Sequence, residues 1–191
     1  MVARVGAISL AVVIVAAGSF AQAQSPADDS APRFIISGTS TVRAWSCPAR
    51  GMIKVTPGKS SPPAPGFPQG PQTVIVTVPV KAIECEEKLM IEHLRQALNE
   101  KAFPEILYQL EQYTMTGETA KTTGKLTIAG ATKPVSFDVR LVPSPKGVRG
   151  VGETTIDLTQ FGVTPPVIWQ GLLKVGKDVR VRFEALLQSM Q

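Results

Sequence analysis

One histidine, His93, and two cysteines, Cys47 and Cys85, are the side chains of this 191-residue sequence with the widest chemical repertoire, and their spacing withholds most of it. A histidine works as a general base when a nucleophile or an acid stands within hydrogen-bond reach. His93 lies in a helical stretch with no such partner at motif spacing, which favours a surface or capping role. Glu86-Glu87 reads as a solvated helix start rather than a catalytic acid pair. Redox work calls for a reactive thiol pair, usually Cys-X-X-Cys, and these two cysteines are far apart in the chain. One histidine and two distant cysteines also make a poor metal ligand set. Gly-x-Ser-x-Gly and phosphate-loop motifs are absent from the sequence. The sequence therefore assigns no catalytic residue, no metal site and no cofactor, and it points away from an enzyme.

The amino-terminal segment sets the compartment. Arg4 precedes an apolar run from Val5 to Ala17, too short to span a bilayer comfortably, and Ala21-Gln22-Ala23 places small residues where a signal peptidase reads them. Residues 1–23 are expected to be a cleaved secretory signal, 24–32 a polar tail and 33–191 a single exported domain. No cysteine follows the apolar run closely, which argues against a lipoprotein anchor. In an oxidising compartment an even cysteine count favours a Cys47–Cys85 disulfide over two buried thiols. Closing that loop would stabilise the fold by about 4 kcal/mol in the chain-entropy model. The formal net charge is +5, and losing Arg4 with the signal leaves +4. The basic residues are scattered among acids, which excludes the footprint of a nucleic-acid binder. A weak contact with an anionic membrane surface and a homodimer are left open.

Period-two alternation dominates the chain beyond the tail. The clearest stretch runs from Gly124 to Leu141: two alternating segments joined by a glycine turn, the second placing Val135, Phe137, Val139 and Leu141 on one face and Ser136, Asp138 and Arg140 on the other. The same signal predicts strands over 33–45, 51–55, 73–83, 105–116, 121–128, 133–142, 148–158 and 178–188. Between residues 56 and 72 six prolines and three glycines preclude a sheet interior, and too few strands precede them for a separate domain. A long exposed hairpin loop is expected there. Residues 86–99 change period, with Met90, Leu94 and Leu98 recurring every four residues, and predict an amphipathic helix that Phe103-Pro104 ends. Eight strands and one helix result, and closing the sheet into a barrel would remove its exposed edges.

The order of these features resembles the YceI-like family of bacterial periplasmic proteins. The likeness is carried by Phe103-Pro104-Glu105-Ile106 after the helix, by Gly124-x-Leu-Thr-Ile-x-Gly-x-Thr-Lys-Pro-Val135, and by Phe161-Gly162-Val163-x-Pro-Pro166 followed by Gly171, Lys174, Gly176 and Val179. The ending resembles that of a subgroup with two cysteines. Many members carry Arg-x-Asp just before the aromatic-Gly pair, whereas this chain has Leu158-Thr159-Gln160, so no role for those charges is carried over.

The resemblance implies a mainly β fold, an eight-stranded antiparallel lipocalin-like β-barrel with one amphipathic helix near its mouth. It also implies a periplasmic location and a tunnel for a polyisoprenoid or other long-chain apolar lipid. An eight-stranded barrel has room for filling side chains or one slender ligand. The inward candidates are Val42, Val74, Val76, Leu94, Leu98, Phe103, Leu126, Phe137, Val139, Phe161, Trp169 and Phe183, with Trp45 on the tunnel wall or at its rim. Each of these could equally belong to an ordinary packed core. A binding or carrier protein is the leading expectation. A non-catalytic envelope stress or assembly factor that uses the barrel as a scaffold is the alternative, and an enzyme comes last.

Overall fold

The computed structural model describes residues 31–58, 62–168 and 172–187. The expected signal segment 1–23, most of the tail and Trp169 lie outside these residues. Strands β1 (Arg33–Thr39), β2 (Ala44–Arg50), β3 (Met52–Pro57) and β4 (Pro71–Pro79) come first, followed by helix α1 (Lys88–Ala97). Then come β5 (Glu105–Thr116), β6 (Thr119–Ile128), β7 (Ala131–Ser144) and β8 (Gly147–Asp157), a short pair β9 (Val167–Ile168) and β10 (Leu173–Lys174), and β11 (Asp178–Leu187). Nine of these form one antiparallel sheet in the order β2-β1-β11-β8-β7-β6-β5-β4-β3.

The sheet has nine strands where eight were expected, because residues 33–45 form a hairpin rather than one strand. Ser40 makes the turn: its hydroxyl donates to Arg43 O at 2.9 Å and accepts from the backbone N–H groups of Val42 and Arg43 at 3.3 and 3.1 Å. Such local side-chain bonding competes with the ladder and ends the strand. The expected strand 73–83 also stops early, at Pro79, where the chain enters a short 3-10 turn over Val80–Ala82.

The two outer strands of the sheet, β2 and β3, are consecutive in the chain and meet at Gly51. Its N–H donates to Pro32 O at 3.3 Å, and a Cβ there would lie 2.7 Å from Thr77 O of β4 and 2.9 Å from the Phe34 ring of β1. Only glycine fits such a close backbone approach. The chain thus leaves β1 and joins β4 within one residue, which brings the two edges of the curled sheet together. Just beyond this corner β2 meets the segment after β4: Ala49 bridges Ile83, Glu84 N–H donates to Pro48 O at 2.8 Å, and Cys47 is bonded to Cys85. Val80, Ile83 and Cys47 are almost completely buried at this seam.

The proline-rich segment does join a hairpin, since β3 pairs with β4, but it is not simply exposed. Ala64 and Phe67 exchange backbone hydrogen bonds, the Tyr113 hydroxyl donates to Pro62 O, and the Phe67 side chain is 5% exposed. Its described part, from Pro62 to Pro71, folds back under the end of the barrel away from α1, with Ala64, Phe67 and Pro71 against the lower cavity. Tyr113 reaches it because the register of β5 slips between Leu110 and Gln112, reversing the alternation that would have turned Gln112 inward.

Candidate functional site

The inward faces of the strands enclose two cavities placed end to end. The upper one, about 480 Å³, lies between the sheet and α1; the lower one, about 180 Å³, reaches towards the proline-rich segment. The upper volume falls in the ~300–1,000 Å³ range typical of small-ligand pockets. Both arise directly from strand alternation. On β11, Val179 and Val181 face the upper cavity and Phe183, Ala185 and Leu187 the lower, with Arg180 and Arg182 outside, where they flank the Glu153 carboxylate at 3.4 and 3.1 Å. On β7, Val135, Phe137, Val139 and Leu141 all line the lower cavity.

Helix α1 roofs the upper cavity with Met90, Leu94 and Ala97, joined by Leu98 at its C-terminal cap. Glu86 and Glu87 precede this helix instead of forming its first turn, and Glu87 makes no capping bond; it pairs with Arg43 on the β1–β2 turn. Ser40, Arg43, Glu87 and His93 give the upper cavity its few charged or polar side chains besides Tyr108. The remaining wall is aliphatic or aromatic, apart from Tyr108. Burial lifts the Tyr108 phenol above its ordinary pKa of 10.0, and the Glu111 carboxylate adds to the rise. The Thr122 hydroxyl partly opposes it, although its proton goes to the Phe137 carbonyl at 2.7 Å and Tyr108 Oη is left without a hydrogen bond among the described residues.

Nine of the sequence candidates line these cavities. Trp45, Leu94 and Leu98 face the upper one, Val74, Phe137, Val139 and Phe183 the lower, and Val76 and Leu126 both. Trp45 is half-buried in the upper wall, its indole N–H donating to Thr39 O at 3.3 Å. Val42 also borders the upper cavity, but as a rim residue: it sits on the Ser40 turn and is 66% exposed. Phe103 and Phe161 line neither. Phe103 is 38% exposed, its ring lying over Gly130 of the β6–β7 turn, while Phe161, 4% exposed, is packed core that anchors the turn after β8. Trp169 falls outside the described residues.

Sequence reasoning passed over Phe34 and Tyr108, which border both cavities, and Phe67 beneath the lower one. Phe34 and Tyr108 each occupy an inward position of an alternating strand, a signal that could have found them. Phe67 lies in a segment without periodicity and gave no such signal. Among the described residues no cluster of three or more His, Cys, Asp or Glu stands together, and no helix is long and apolar enough to cross a membrane.

A family model described as a YceI-like domain matches residues 27–187. Among solved structures the chain is similar to BcnA of Burkholderia cenocepacia, with 19% identity and a TM-score of 0.63 over 79% of this chain and 94% of that one. It is similar to the YCEI protein of Campylobacter jejuni, with 19% identity and a TM-score of 0.53 over 73% and 82% of the two chains. A polyisoprenoid binding domain from Saccharophagus degradans superposes with a TM-score of 0.57 at 8% identity, over 81% and 90%. At these identities the likeness speaks for the shared fold. No curated protein matches the chain.

Proposed function

The chain belongs to the YceI-like domain family, and from that premise we propose that it is a non-catalytic periplasmic binding or carrier protein for one long-chain apolar lipid, such as a polyisoprenoid, held inside the barrel. The observation that carries this reading is the upper cavity, about 480 Å³ of space walled by aliphatic and aromatic side chains and continued by a second apolar cavity. Burying each methylene contributes about 0.8 kcal/mol, while association costs about 4 kcal/mol or more. Short chains therefore bind weakly and long ones tightly, with no need for hydrogen bonds. Arg43, Glu87 and His93 border the opening, so a chain enters tail first and leaves a polar head beside them. The structural neighbour described as a polyisoprenoid binding domain supports the same class of cargo. A location in the periplasm rests on the expected signal segment.

Titration with a long-chain fluorescent probe, followed by displacement with a polyprenol, tests the reading. Leu94→Asp places a carboxylate in the apolar roof, where an unpaired charge is costly to bury, and is expected to weaken binding at least ~10-fold. Leu94→Trp fills the same space without a charge and is expected to weaken it too. Equal affinity in the native protein and both variants would show that the chain binds elsewhere.

A further inference from the structure

Four aromatic rings stand across the waist of the barrel where the two cavities meet. Phe34 of β1, Phe183 of β11, Phe137 of β7 and Tyr108 of β5 form a chain with ring centroids 6.5, 5.5 and 5.1 Å apart in that order. The strands between them supply glycine. A Cβ on Gly152 of β8 would lie 2.4 Å from Phe183 Cζ, and one on Gly124 of β6 would lie 2.8 Å from the Tyr108 ring. These rings are therefore laid against bare backbone, a close approach that no larger residue permits. Phe34, Val76, Tyr108, Leu126, Ile156 and Val181 border both cavities, whereas Phe137 and Phe183 border only the lower. The Phe137 and Phe183 rings meet edge to face, 72° apart, the arrangement aromatic quadrupoles favour.

We propose that this waist selects the length of the bound chain. The inference rests on the carrier reading and adds the residues that limit it. A chain entering at the mouth fills the upper cavity until its end meets the rings of Tyr108, Phe137 and Phe183. Each methylene buried up to that point raises affinity roughly fourfold. Beyond it, further methylenes must displace the packed rings of the waist before they can reach the lower cavity, and the gain stops.

Straight-chain primary alcohols of increasing length, competing with a fluorescent fatty probe, read this out. In the native protein affinity is expected to rise roughly fourfold per methylene and then level off at one length. Phe137→Ala removes the central ring and is expected to move the levelling point to longer chains. Phe137→Leu, which disturbs packing less, is expected to move it in the same direction, and circular dichroism reports whether each variant is folded. A native series without a levelling point would overturn the waist while leaving the carrier reading intact. So would an unchanged levelling point in a folded variant. Failure of every alcohol to bind would overturn the carrier reading, and the waist with it.

Discussion

Asp157 shows how one side chain can hold a boundary of the site. Its carboxylate accepts from Lys177 Nζ at 2.6 Å and from the Thr159 backbone N–H at 3.0 Å, fixing the turn that buries Phe161 in the core and sets Leu158 and Val163 against the upper cavity. The Lys177 bond, with the Thr159 hydroxyl next in weight, holds the Asp157 pKa below its usual 3.8. A carboxyl depressed in the folded state contributes stability that is complete above its unfolded pKa and is lost as pH falls through the folded one. The contribution of Asp157 is therefore complete at neutral pH, begins to fall near pH 3.8 and is gone only below the depressed folded value. Thermal melts of Asp157→Asn are expected to lie below the native at pH 7 and to converge with it in strong acid; a constant gap would remove this carboxylate as the cause. At the same scale, Phe137, Phe183, Val139 and Leu94 were legible in the sequence because period two or period four fixed their facing. Phe103 and Phe161 were misread because both lie in connections, where hydrophobicity reports burial without saying what is buried against.

The elements were legible wherever a periodic run was long and uninterrupted. Strands β6, β7, β8 and β11 were placed closely, and α1 to within two residues of its expected ends. What escaped was local chemistry that interrupts a run: the Ser40 hydroxyl that folds 33–45 into a hairpin, and the slip at residues 110–112 that turns Tyr113 inward. Neither alters composition or period enough to register. The seam between β2 and the segment after β4 depends on the Cys47–Cys85 bond, which the cysteine count favoured and the structure contains. Cys47→Ser with Cys85→Ser is expected to lower stability by roughly 2–5 kcal/mol, read by urea denaturation. A change within about 0.5 kcal/mol, the scale of an ordinary surface substitution, would mean that the backbone contacts of the seam suffice alone. Gly152→Ala is expected to destabilise as well, because its methyl would displace the Phe183 ring. A melting temperature equal to the native value would show that the ring yields freely.

At the scale of the molecule, a curled nine-strand sheet whose edges meet at Gly51 leaves an interior that side chains do not fill. Native interiors approach the packing density of organic crystals, so unfilled apolar space of this size is unusual unless a ligand occupies it. The family and the barrel were legible in the sequence because the two strands joined by a glycine turn from Gly124 to Leu141 and the segments flanking them are distinctive in combination. The volume of the hollow was not, since it depends on how rings from β1, β5, β7 and β11 meet across the lumen. The most direct measurement is organic-solvent extraction of the protein purified undenatured from its native source, with mass spectrometry of the extract. About one long-chain apolar lipid per protein molecule is the expected result. A lipid-free extract from folded protein that also fails to take up a polyprenol would contradict the account.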